Sequence, residues 1–250
     1  MSPRLIPSGA QRTEIRATAD GDRAAQVICA FATGRHLELL AEAAPTYVAY
    51  GRRWQWDVVL SSEYGDVERP AAWKKLLLVQ SLLRQYDTVL CIDADAIIVD
   101  LGRPILAEVD DSADLWLAHH PQEHDPDATV ANTGVMLVRA SPFATAILQA
   151  MWACEQYIDH NWWENAALLD LLGYSLDAPY PIVRHTPWQE RVGRLYLAWN
   201  SVPGYCESPT PALNHHARSD HDNFGRRLNE MRADRIMTEQ RFAGDFVQLD

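Results

Sequence analysis

Tyr86-Asp87-Thr88-Val89-Leu90-Cys91-Ile92-Asp93-Ala94-Asp95-Ala96-Ile97-Ile98-Val99-Asp100 is the stretch whose reading decides the fold. Thr88 to Ile92 is a short apolar run of the kind that forms a buried strand. It delivers two carboxylates, Asp93 and Asp95, at its carboxyl end, where ligands bind in open α/β sheets. Alternation along an extended chain points both acids to one side. Two carboxylates so close repel one another unless a cation or a shared proton relieves them. A hard divalent ion does so economically: Mg²⁺ or Mn²⁺ takes one or two carboxylates and fills its shell with phosphate oxygens and water. Asp-x-Asp in a solvated loop would mean little. Here apolar sequence precedes it and Ala96 to Val99 follow, which sets the pair at an edge between core and surface. Asp100, Asp110 and Asp111 read as ordinary loop or cap residues.

Outward from that strand the pattern alternates. Val27 to Ala32 is an apolar run followed by Thr33, Gly34 and Arg35, then a helical spacing in Leu37, Leu39, Leu40 and Ala43. Val58 to Leu60 reads as a second strand. After Pro70, the residues Trp73, Leu76, Leu77, Val79, Leu82, Leu83 and Tyr86 fit one broad helical face. Leu115 to Ala118 and Gly134 to Val138 are further strands. Ser141-Pro142 opens a helix through Trp152, and Glu164 to Leu172 is a shorter one that Gly173 can end. Strands alternating with helices predict an α/β fold whose sheet is mixed but mostly parallel, with helices on its faces. Prolines 179, 181, 187, 203, 209 and 211 then break the chain into loops and brief strands of the kind that shape pockets. The expected division is a flexible segment over 1–25, one domain over 26–218 and a helical extension over 219–250, with a charged helix from Asn223 to Phe242 that could pair with a copy of itself in a homodimer.

Composition narrows the function. With 250 residues, 48% of them hydrophobic, the chain can fill a core. Twenty-two Lys and Arg against 34 Asp and Glu leave a net charge of −12, which disfavours the phosphate-backbone contacts of nucleic-acid binding and attraction to anionic membranes. A single activated phosphate compound remains compatible, since a bound cation reverses the local field. No run reaches the roughly 20 apolar residues that cross a bilayer, and no signal-peptide core stands near the start. The expectation is a soluble, cytoplasmic protein. Cys29, Cys91, Cys154 and Cys206 lack any paired spacing and read as buried, reduced thiols.

Ala72-Trp73-Lys74-Lys75, the helix behind it and Asp87 to Asp95 together resemble the signature of metal-dependent nucleotide-sugar glycosyltransferases of the GT-A fold. Among these the sequence is most similar to the galactosyltransferase/xylosyltransferase family of fungal and plant polysaccharide synthesis and its small bacterial relatives. Three later pieces agree in order. Asn132-Thr133-Gly134-Val135-Met136-Leu137-Val138-Arg139 resembles the family's Asn-x-Gly strand; Trp162-Trp163-Glu164-Asn165 resembles its acidic helix start, with Asn165 where Gln is usual; and Leu213-Asn214-His215-His216-Ala217 stands at its late metal-ligand histidine, with Arg218 where Gly often follows.

The resemblance implies a reaction in which a nucleoside diphosphate leaves the anomeric carbon of a hexose or pentose, with retention of configuration. It implies Asp93, Asp95 and His215 as ligands of Mn²⁺ or Mg²⁺, Asp95 and Glu164 at the catalytic centre, and a donor site formed by Thr33, Lys74, Asp93, Ala94, Asn132 and Gly134. His216 is the alternative ligand, because neighbouring side chains of an extended segment face opposite ways. Lys74 and Lys75 are the only lysines; Lys74 is the one the resemblance sets near the diphosphate, as a compact counter-charge. Histidines 36, 119, 120, 124, 160, 185 and 221 read as ordinary core or surface residues. Trp162, Trp163, Trp188 and Trp199 are candidates for stacking on an acceptor, expected to be a small molecule or an oligosaccharide. The donor is expected to be a UDP-sugar. The alternatives are a catalytically silent nucleotide-sugar-binding protein, or a sugar-1-phosphate nucleotidyltransferase, for which Ala32-Thr33-Gly34-Arg35 is poor in glycine.

Overall fold

The computed structural model describes residues 12–17, 23–62, 68–122, 125–217 and 224–246. Most of the opening segment, together with His124, Arg218, His221 and Asn223, lies outside them. Among the described residues nine strands and five α-helices follow in the order β1 (Arg12–Ile15), β2 (Gln26–Phe31), α1 (His36–Trp54), β3 (Asp57–Ser61), α2 (Ala71–Leu82), β4 (Thr88–Ile92), β5 (Ala96–Ile98), β6 (Leu115–Gln122), β7 (Asp125–Arg139), α3 (Pro142–Ala153), α4 (Trp163–Leu171), β8 (Val192–Leu195), β9 (Leu213–His215) and α5 (Phe224–Arg241).

Seven strands form one sheet in the order β1-β3-β2-β4-β7-β6-β8, and β5 pairs with β9 in a second, two-stranded sheet. Strands linked through helices run parallel, as in β2 beside β3 and β4. β6 and β7 are instead joined by a short connection and pair antiparallel, as a hairpin requires. Five of the seven strands therefore run one way, and β1 and β7 run against them. Within the opening segment, β1 is an edge strand on β3. It is anchored by the buried Asp57, which accepts from Arg16 Nη1 at 2.7 Å and from Ala17 N at 2.9 Å.

The helices begin and end where local chemistry dictates. Ser141 caps α3, its Oγ accepting from Ala144 N at 3.0 Å with Pro142 in the first turn. α2 starts directly after Pro70, and Gly173, at φ +80°, takes the left-handed turn after α4. The core has two halves because β2 and β4 are buried on both faces. Ile28, Ala30, Leu90 and Ile92 pack toward α1 and α5. Val27, Cys29, Val89 and Cys91 pack toward α2, α3 and α4. All four cysteines are buried free thiols. No described helix is long and apolar enough to cross a membrane.

Candidate metal centre and active site

The β4–β7 pair lays two motifs side by side. Ile92 faces Val135, and Asp93 N donates to Gly134 O at 2.8 Å, so Asn132-Thr133-Gly134 lies against Asp93-Ala94-Asp95. On its other edge β7 leaves the ladder: Leu117 of β6 faces Met136, but the next residue, Ala118, faces Asn132. Thr133 to Val135 thus form a bulge with no partner in β6. Bulges of this kind terminate pairing and re-aim side chains beside active sites. Side chains take up the freed amides: Asn165 Oδ1 accepts from Thr133 N at 2.8 Å, and Asn132 Oδ1 accepts from Gly134 N at 2.8 Å.

β9 supplies the histidine. Antiparallel register sets His215 opposite Ala96 and Leu213 opposite Ile98, and His216 N donates to Asp95 O at 2.8 Å. Period-2 alternation then separates the two rings. His215 Nε2 lies 3.3 Å from Asp95 Oδ1. His216 turns toward α5, with Nε2 3.0 Å from Asp234 Oδ2. Ligand atoms of Asp93, Asp95 and His215 fall within 4.8 Å of one another, the one such group of three among the described residues. Two carboxylates and an imidazole converging on one point suit a divalent cation of the Mn²⁺ or Mg²⁺ type. Tyr47 of α1 braces the turn that carries the acids, its hydroxyl 2.7 Å from Ala96 O and 3.1 Å from Asp93 O.

Of the two lysines, Lys75 is the one that meets the acids. Its ammonium donates to Asp93 Oδ1 at 2.7 Å and Thr133 O at 3.0 Å, and lies 2.8 Å from Glu164 Oε1. An ammonium has three N–H groups, and here all three are committed to the protein. It is therefore a clamp that lets two carboxylates approach, rather than a counter-charge held free for a diphosphate. Burial alone would lower its pKa, but Asp93 and Glu164 hold it well above the ordinary lysine value. The signal was available in the sequence: Lys75 stands three, four and seven residues before Leu78, Val79 and Leu82, on the buried stripe of α2. Lys74 is off that stripe.

A second cation reaches the pair from α5, where Arg227 Nη1 donates to Asp95 Oδ2 at 3.1 Å. Burial pushes the Asp95 carboxyl up, yet His215 in its charged form and Arg227 more than offset this and hold it well below the usual carboxylate range. The described part of the C-terminal extension is thus built into the site. Arg232 and Arg235 bind Glu42 of α1 at 2.7 and 2.9 Å and fasten the helix there.

Glu164 stands at the start of α4, 3% exposed. Its Oε1 accepts from Thr133 Oγ1 at 2.9 Å, and its Oε2 is buried with no hydrogen-bond partner. Burial pushes its carboxyl up from the ordinary value, with Lys75 opposing. Trp163, directly before it, keeps a left-handed φ of +43° and leaves a large ring 43% exposed. Among the other tryptophans, Trp199 is core, Trp162 packs on Tyr180 at 4.7 Å between ring centroids, and Trp188 packs on Phe143 at 5.9 Å. Thr33 follows β2 at the same sheet edge as Asp93, half-buried, and Ala94 is buried between the two acids.

Asn200 was not legible as a site residue. It is fully buried, with Oδ1 2.8 Å from His215 Nδ1 and Nδ2 donating to Asn132 Oδ1 at 2.9 Å.

No protein-family model matches the chain, and no curated protein matches it by sequence. Solved structures do match its fold. One is a glycosyltransferase involved in the glycosylation of the major capsid of PBCV-1, with a TM-score of 0.60 at 12% identity, covering 82% of this chain and 98% of that one. A second is the glycosyltransferase GlyE of Streptococcus pneumoniae TIGR4, with a TM-score of 0.56 at 12% identity over 88% of this chain. A third is the bifunctional glycosyltransferase WbbM, with a TM-score of 0.53 at 13% identity over 88% of this chain. The chain spans 65% of the GlyE chain and 52% of the WbbM chain. The fold is the GT-A fold, in a single domain.

Proposed function

We propose that this protein is a metal-dependent glycosyltransferase that moves a hexose or pentose from a nucleotide sugar, a UDP-sugar, to a soluble small-molecule or oligosaccharide acceptor with retention of configuration. The observation that carries the reading is the convergence of Asp93, Asp95 and His215 at the carboxyl end of β4, on a fold shared with glycosyltransferases. Likeness to the galactosyltransferase/xylosyltransferase family in the five ordered motifs supports the donor class. We place the catalytic and donor-binding machinery in residues 26–218, with α5 buttressing it.

When bound, a divalent cation held by Asp93, Asp95 and His215 would act as a Lewis acid on the departing diphosphate. The chain's own charges fit that task. Asp93, Asp95 and Glu164 against Lys75 and Arg227 leave one net negative charge, His215 aside. Without a cation that balance repels a diphosphate; with two added positive charges it attracts one. Glu164 keeps a buried carboxylate oxygen without a protein partner, suited to accept from a sugar hydroxyl and to face positive charge that develops on the ring. Asn132 spends its carbonyl on Gly134 and Asn200, which leaves its amide N–H groups to donate to the donor sugar. The exposed ring of Trp163 beside Glu164 offers an apolar face to an acceptor.

The test is UDP release. Incubation with a panel of UDP-hexoses and UDP-pentoses and Mn²⁺ is expected to release UDP slowly without acceptor and faster when a suitable acceptor is added. EDTA-insensitive release, or release unchanged in Asp95→Ala, would refute the reading. Tight metal-dependent UDP binding with no turnover across many acceptors would favour the silent binding protein.

A further inference from the structure

We propose that Asn200 is a positioning residue that dictates the tautomer of His215, so that the ring presents a lone pair at Nε2 to Asp93 and Asp95. The inference rests on the metal-site reading above for its purpose, but not for its geometry.

The polarity of the buried chain is forced from both ends. The backbone N–H of Gly134 can only donate, so the Asn132 atom 2.8 Å away is its carbonyl oxygen. That oxygen also lies 2.9 Å from the side chain of Asn200, which must therefore turn its NH₂ toward Asn132. The Asn200 oxygen is then left facing His215 Nδ1 at 2.8 Å. An oxygen that can only accept obliges Nδ1 to carry the proton. In the neutral ring Nε2 is then bare, and it is Nε2 that points at Asp95 Oδ1, 3.3 Å away.

The main chain of Asn200 is anchored by the same logic. Its carbonyl can only accept, so His120 Nε2, 2.9 Å away, must be the donor. His215 N donates to Ser201 O at 2.7 Å, tying β9 to the next residue along. Asn200 is fully buried and sits 15 residues before its histidine, with no alternative solvent partner. A bare imidazole nitrogen facing a carboxylate is repulsive by itself and favourable once a cation lies between them, which is the state a metal ligand needs.

Two measurements on the full-length chain test this. Long-range ¹H–¹⁵N spectra of the histidine rings in metal-free protein at about pH 9, above the usual imidazole range, report each nitrogen. The expected pattern for His215 is a proton on Nδ1 in either charge state of the ring, because the Asn200 oxygen can only accept. A bare Nδ1 would overturn the proposal whatever the protein's activity. Mn²⁺ titration by electron paramagnetic resonance supplies the second readout. Asn200→Leu is expected to weaken Mn²⁺ binding about 10- to 100-fold, whereas Asn200→Asp, which keeps an acceptor for Nδ1, retains binding within several-fold. Equal loss in both variants would mark Asn200 as a packing residue and refute the assignment. If Asn200→Leu does not fold, Asn132→Leu keeps Asn200 but frees its amide to rotate. It is expected to show a mixture of His215 tautomers, and an unchanged single tautomer would overturn the forced-polarity argument. Wild-type protein with the expected tautomer but no Mn²⁺ binding would refute the metal reading and leave the positioning geometry standing.

Discussion

The space where Gly134 would carry a side chain belongs to His215: a Cβ on Gly134 would lie 2.6 Å from His215 Nδ1 and 2.8 Å from Asn132 Oδ1. Glycine is needed here for close approach, not for an unusual backbone angle. Gly134→Ala is expected to displace the imidazole, weaken Mn²⁺ binding at least tenfold, and lower stability by about 1–3 kcal/mol through overpacking. Mn²⁺ titration beside a urea melt checks both, and unchanged Mn²⁺ affinity would show that the ring is not seated as described.

Lys75 and Glu164 form a buried pair whose halves depend on one another. Removing one partner of such a pair costs roughly 3–5 kcal/mol, because the other charge is stranded. Lys75→Met is expected to show that loss at neutral pH, with part of it recovered in Lys75→Met/Glu164→Gln. Lys74→Met, off the buried stripe, should stay within about 0.5 kcal/mol of wild type. Chemical denaturation of wild type, Lys75→Met, Glu164→Gln and the double variant gives the coupling directly; additive single and double changes would contradict it.

His120 should make stability fall in mild acid. Burial pushes its imidazole down to about 4, with nearby His215 adding to the effect, while the unfolded chain titrates near 6.5. Between those values the unfolded state binds more protons, so stability is full above about pH 6.5 and declines toward pH 4, by up to about 3 kcal/mol for this one group. His120→Gln is expected to shrink the slope of unfolding free energy between pH 7 and 4.5. Part of it should persist, because burial also pushes His119 down to about 4. An unaltered slope in His120→Gln would argue that the ring is not held neutral.

Metal addition should be visible without any substrate. A ligand at 100 times its dissociation constant stabilises the native state by about 2.7 kcal/mol. Mn²⁺ is expected to raise the melting temperature of the wild type by several degrees, EDTA to reverse it, and Asp95→Asn to abolish the shift. A rise of equal size in Asp95→Asn would place the ion elsewhere.

The alternating elements and the carboxylate pair were readable because each rests on local chemistry. Apolar runs of five or six residues, Pro70, the Ser141 cap and Gly173 act within one turn or strand of themselves. Less was visible where the determinants are distant. β1, β5, β8 and β9 are four residues or fewer each, too short to carry a periodic signal, and they exist because a neighbouring strand offers hydrogen bonds. The inward turn of Lys75 was written in the spacing of α2, but a charged residue on an apolar stripe makes sense only once Asp93 and Glu164 are seen to meet it.

What this sequence determined alone is that the chain alternates strand and helix and delivers Asp93 and Asp95 together at a strand end, since hydrophobic periodicity acts over a few residues. Which histidine joins them was decided by tertiary structure. The pairing of β9 with β5 brings residue 215 beside residue 96, and two-residue alternation then turns His215 inward and His216 toward α5. The tautomer of His215 is set by Asn200, and one carboxylate's counter-charge comes from Arg227 on the final helix. These contacts span 15 to 132 residues of sequence and form only when the folded sheet closes the distance.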